Sequence, residues 1–188
     1  KIRYKAKREP GRNKPKPDKL NQWWGIDMTK FMIEGIGWIY LTVVLDWYSR
    51  KIVGYHTGIQ SQSKHWLEAL NMAVNNQCSL GSQLEKINLM SDNGSQPTSK
   101  SFIKECAVLG INQAFTSYNN PKGNANTERM MRTIKEELIW LSDWKTLKET
   151  QEAIAQWIDD DYNTSYVHSA IGYMSPAEFE NNCIKIRP

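Results

Sequence analysis

The chain has 188 residues, 40% of them hydrophobic and 11% aromatic, which suits one globular domain with a substantial core. No apolar run approaches the ~20 residues that cross a bilayer, and no signal-type apolar segment follows the basic N-terminus. The net charge of +4 is unevenly held: residues 1–20 carry nine Lys/Arg against two acids, while the remainder is slightly acidic. The three cysteines are widely spaced without a Cys-x-x-Cys pair, and the three histidines do not join them, which argues against a disulfide framework and a zinc site. A reducing cytoplasm is the implied setting.

The Pro- and Lys-rich segment 1–20 cannot bury enough apolar surface to fold alone, and it reads equally as a linker or as a strap for phosphates. The lack of an initiating Met suggests a piece of a longer chain. Residues 22–31, "QWWGIDMTKF", read as a first strand, and the two glycines of "IEGIG" suit a hairpin. "WIYLTVVLDWY" (38–48) is too apolar for a half-exposed strand and is expected to be central. "IVGYHTGI" (52–59) completes an antiparallel meander.

The period then changes. Ser61 or Ser63 can cap a helix carrying Trp66, Leu67, Leu70, Ala73 and Val74 at three- and four-residue spacing. "QCSLGSQ" reads as loop and "INLMS" (87–91) as a short buried strand. "SKSFIKECAVLG" reads as a helix closed by Gly110, followed by the strand "INQAFTS". From about Asn124 a long helix is expected to run to Leu141, with Met130, Met131, Ile134, Leu138 and Leu141 along its apolar stripe. Two further helices are expected in "LKETQEAIAQWIDDDYN" and "SPAEFENN". This order describes an α/β domain with a mixed five-stranded sheet flanked by helices, spanning 21–180 between the arm (1–20) and a tail (181–188).

Three acids then demand explanation. Asp27 lies in an apolar strand, where a carboxylate is costly unless paired or bound to a cation. Asp92 opens "DNG" at a strand end, a turn signal that is also where sheet proteins build sites. Glu128 stands in the first turn of a helix, where acids are favoured, with Arg132 four residues on as an ordinary ion-pair partner. Each alone has a bland explanation. Together they can converge at one end of the sheet, and three hard oxygen ligands suit Mg²⁺ or Mn²⁺ in phosphoryl transfer. Asp46, by contrast, is explained by turn chemistry, and Asp159 to Asp161 by a solvated helix end.

The fragments "WGIDMT", "VVLDWYSRKIVGY", "SDNGSQPTS", "PKGNANTERMMRTIKEE" and "YNTSYVHSAIGYMSPAEF" resemble, in order, the insertion-sequence transposases of the DDE group, which includes retroviral integrases. Thirty-five residues separate Asp92 from Glu128, the spacing characteristic of that group. The resemblance implies a ribonuclease H-like fold and metal-dependent cleavage and joining of DNA strands. It implies that Asp27, Asp92 and Glu128 are the catalytic, metal-binding triad, with two divalent ions in the active complex. It implies DNA contacts from Asn93, Lys122, Asn124, Arg132, Lys135 and His168, His168 being otherwise structural. The partners it implies are double-stranded DNA and further copies of the chain, as a dimer or larger assembly, in the bacterial cytoplasm at the nucleoid. A ribonuclease H-type or junction nuclease, or a non-catalytic DNA-binding module, is the alternative.

Overall fold

Alternating β-branched and aromatic residues build β1 (Trp23–Ile33), β2 (Gly37–Asp46) and β3 (Ile52–Gly58) into an antiparallel meander. β1 pairs with β2 from Trp24↔Asp46 to Ile33↔Gly37, turning through Gly35 and Gly37 at φ 79° and 104°, a region glycine enters without steric cost. The computed structural model describes residues 15–116 and 121–185, except the side chains of Pro121 and Lys122.

Helix α1 (Ser63–Gln77) and the single turn α2 (Ser82–Glu85) lead to β4 (Asn88–Ser91), which lies parallel to β1. Helix α3 (Lys100–Val108) leads to β5 (Asn112–Phe115), parallel to β4. The sheet order is β3-β2-β1-β4-β5, the expected mixed five-stranded sheet. β2 is interior, as its apolar run requires, but β1 is the middle strand. Asp27 pairs with Val43 of β2 and lies two residues beyond Gly25, where the pairing with β4 ends.

The two faces carry separate cores. Trp24 and Ile26 of β1 pack with Trp66, Leu70 and Phe102 of α1 and α3. Phe31, Ile33, Leu41 and Val43 pack on the opposite face with Met130, Met131 and Ile134 of α4 (Ala125–Glu137) and Ile154 of α5 (Leu147–Gln156). The chain closes with α6 (Pro176–Lys185), which runs across the expected boundary at 180/181.

Three local expectations are corrected. Neither Ser61 nor Ser63 caps α1: Gln62 does, its N–H donating to His65 Nδ1 at 3.1 Å, while the two serine hydroxyls meet Trp66 and Gln96. α4 stops at Glu137 because Leu138 leaves helical angles (φ −128°, ψ −60°), and Leu141 is 77% exposed rather than on the apolar stripe. After α5 the chain widens into a π-helical turn, Trp157–Tyr162, with Asn163 N–H reaching Ile158 C=O at 2.9 Å. That turn buries Trp157, Ile158 and Tyr162 and leaves Asp159, Asp160 and Asp161 facing out, as expected of the acidic run.

Candidate active site

The position of α4 is set by an absent side chain. A Cβ on Gly25 would overlap Thr127 Oγ1, Trp47 Nε1 and Asn124 Oδ1, so only glycine lets the start of α4 lie directly on β1. Trp47 Nε1 donates to Thr127 Oγ1 at 3.1 Å, and Asn124 Nδ2 points to Ile26 C=O at 3.4 Å. Thr127 is fully buried by this packing, and Glu128, the next residue, emerges exposed beside β1.

The parallel register brings the two aspartates together. Gly25 pairs with Met90, and Asp27 and Asp92 each lie two residues further along neighbouring strands. Successive side chains alternate faces, so both belong to the face covered by α4. Each has one carboxylate oxygen on a backbone donor: Asp27 Oδ1 accepts from Met28 N–H at 2.8 Å, and Asp92 Oδ1 from Gly94 N–H at 2.9 Å. The second contact is the Asx turn expected of "DNG".

Burial pushes the Asp27 carboxyl up to about 6, and the charges of Asp92 and Glu128 push in the same direction. The Met28 N–H and the charge of Lys135 pull it down. Asp92, Glu128 and Lys135 therefore all stand within electrostatic reach of one half-buried carboxylate. Among the described residues, no three His, Cys, Asp or Glu side chains come within reach of a single ion.

The other expected DNA-facing residues divide. Lys135 is in the acidic group. Arg132 is exposed but pairs with Glu136 (Nε to Oε1, 2.7 Å), not with Glu128 as its spacing suggested. Asn93 donates to Thr116 C=O at 2.7 Å and ties the loop after β4 to the end of β5. Asn124 is 4% exposed and holds Ile26, so its side chain is an anchor for α4 and not a surface contact. The side chain of Lys122 lies outside the described residues. His168 is half-buried against Tyr162 and Tyr166, with ring centroids 5.2 and 5.0 Å away.

Asp46, set aside from the sequence as a turn residue, is fully buried and accepts from the N–H groups of Asn21, Tyr48 and Ser49 and from Trp24 Nε1. Burial holds its carboxyl above the usual range. Its lone pairs are committed to holding the β2–β3 turn and the entry to β1. Sequence reasoning missed Gly25, Trp47 and Thr127, whose only signal was a glycine inside an apolar strand.

Residues 17–121 match the integrase core domain family, and residues 109–176 match a second integrase core domain description. The chain belongs to the integrase core domain family. It is 30% identical over 189 residues to the transposase for insertion sequence element IS904 of Lactococcus lactis, covering 95% of this chain and 72% of that protein. A putative transposase for insertion sequence element IS986/IS6110 of Mycobacterium tuberculosis is 27% identical over 166 residues, 87% of this chain and 59% of that protein. The chain thus spans between about half and three quarters of the curated relatives it matches. The HTLV-2 integrase catalytic core domain in complex with magnesium, in its trimeric form, superposes with a TM-score of 0.60 at 16% identity, over 85% of this chain and 95% of that one. The fold is that of retroviral integrase cores, the ribonuclease H-like fold, and the chain is a core of the DNA transposition and integration type. Among the described residues no helix is long and apolar enough to cross a membrane.

Proposed function

We propose that this chain is the part of an insertion-sequence transposase that cuts and joins DNA strands, with Asp27, Asp92 and Glu128 as its catalytic carboxylates. The observation that carries the reading is Asp27, a half-buried acid whose acidic neighbours are the other two. The donor set fits Mg²⁺ or Mn²⁺: it holds carboxylate oxygens and neither thiol nor imidazole. The repulsion felt by Asp27 is of the sign that a divalent cation relieves. Such ions, when bound, act as Lewis acids on phosphoryl oxygens and lower the pKa of an attacking water or hydroxyl.

The protein's own contribution is positional. The backbone N–H groups of Met28 and Gly94 each fix one carboxylate oxygen, which orients the aspartates before substrate arrives. The Gly25–Thr127 contact sets Glu128 beside them. Lys135 balances part of the acidic charge and, with Arg132 on the same helical face, offers cations to the phosphates of double-stranded DNA. More than one copy of the chain would be needed to hold two DNA ends together.

The test is a labelled DNA end with a free 3′-hydroxyl, offered to the full-length transposase with a target duplex and Mg²⁺ or Mn²⁺. Joined product that disappears in Asp92→Asn supports the reading. Hydrolysis without joining would make the chain a nuclease instead, and binding without either would make it a DNA-binding module.

A further inference from the structure

A cavity of about 190 Å³ opens between α4 and the segment leading into α6, lined by Arg50, Arg129, Thr133, Tyr162, Tyr166 and His168 among others. Its chemistry is one-sided. Among the described residues neither Arg50 nor Arg129 forms an ion pair with a carboxylate. Arg50 Nε and His168 Nε2 are both buried with no hydrogen-bond partner. Buried polar atoms left unpaired cost free energy, and a bound ion is one arrangement that completes them.

The neighbouring acids are already engaged. Asp46, on the turn that carries Arg50, is held by four donors. Glu137, at the end of α4, faces the Tyr166 hydroxyl, which burial and the Glu137 charge push up. The Arg50 backbone and the His168 ring are rigidly held as well. Arg50 occupies a left-handed backbone position (φ 66°) closed by its N–H on Asp46 C=O at 2.9 Å, and Tyr162 and Tyr166 clamp the His168 ring. Burial and the facing charges of Arg50 and Arg129 push His168 down to about 4, so the imidazole is neutral in the open pocket.

We propose that Arg50, Arg129 and His168 form a binding pocket for a phosphate group, contributed by the DNA backbone. The DNA assignment rests on the function proposed above; the phosphate chemistry does not. Arg129 directly follows Glu128, so a phosphate held here lies one face of α4 away from the catalytic acids. Pro15, Lys16 and Pro17, at the described end of the basic arm, border a second cavity with Arg50, Asn126 and Ala170. The arm therefore reaches the rim of the same pocket.

The experiment follows the His168 imidazole resonance of the 188-residue chain, without divalent metal, as inorganic phosphate replaces chloride at constant ionic strength. A second titration uses a DNA duplex. Phosphate should shift the resonance and raise the melting temperature, DNA should shift it in the same direction, and phosphate should compete with DNA. Arg129→Gln, at an exposed position, should keep the fold and weaken both responses about tenfold or more, with Arg129→Lys restoring part. A resonance moved by phosphate but not by DNA overturns the DNA assignment and leaves a free-phosphate site. A resonance moved by neither overturns the proposal. Neither readout needs metal or strand joining, so failure of the catalytic reading would be seen separately.

Discussion

Gly25 on β1 lies directly beneath Thr127 on α4, and the missing Cβ of the one is the space occupied by the hydroxyl of the other. Gly25→Ala should destabilise the protein by about 1–3 kcal/mol through overpacking. It should also reduce strand joining more than that loss explains, because α4 carries Glu128 away from Asp27. Chemical denaturation and joining assays on Gly25→Ala and on Gly25→Ala/Thr127→Ala check this. The double variant should recover stability relative to the single one; an additive loss would show that the contact is not the cause.

Metal and pH should act on stability through Asp27. Its pKa is raised in the folded protein, so its favourable contribution is full below about 4 and is lost as pH rises through about 6. At pH 7.5 the ionised group should cost about 3 kcal/mol. Asp27→Asn should therefore raise the melting temperature at pH 7.5, with the gain fading toward pH 4. Millimolar Mg²⁺ should raise the melting temperature of wild type and leave Asp92→Asn unmoved. A gain from Asp27→Asn that is equal at both pH values would show that the buried charge of Asp27 is not its source.

Arg132 and Lys135 share a helical face but not a role. Arg132 pairs with Glu136 on the surface, so Arg132→Ala should leave the melting temperature unchanged and weaken DNA binding. Lys135 offsets charge at Asp27, so Lys135→Ala should push the Asp27 pKa higher still and steepen the loss of stability between pH 4 and 6. Titration of Asp27 by NMR in the two variants separates them: no difference would place Lys135 with Arg132 as a surface cation only.

Removing residues 1–14 deletes seven Lys/Arg and Glu9. If they strap phosphates, DNA affinity should fall alike for all sequences, and the slope of log K against log salt should become shallower. Salt titrations of the truncated and full chains decide this, and an unchanged slope would make the segment a linker.

The strands, the helix order and the acids were legible because each rests on local pattern: period-two and period-three-or-four apolar spacing, "DNG" after an apolar run, an acid inside an apolar strand. What was not legible depends on distant partners. The direction of a polar side chain is one case, since Asn93 and Asn124 read as surface contacts yet bind Thr116 and Ile26. Asn163 is another: both ends of its amide pair with Ile52, extending the sheet edge from the last residue of a segment that reads as helix. The end of α4 was misjudged because Ile139 and Leu141 continue the apolar spacing after the backbone has turned at Leu138. Arg50, Arg129 and His168 lie far apart in sequence, and no periodicity links them.

Glu128 divides the bland and catalytic accounts most sharply, since it is exposed, sits in a helix first turn and forms no ion pair among the described residues. Glu128→Gln changes its shape little and removes one charge. Strand cleavage and joining by the full-length transposase, measured on a labelled 3′-hydroxyl end in Mg²⁺ beside the variant's melting curve, tests the account directly. Joining should fall by orders of magnitude while the fold survives. Near-normal joining by Glu128→Gln would show that Glu128 only serves the helix start, and that the third carboxylate lies elsewhere.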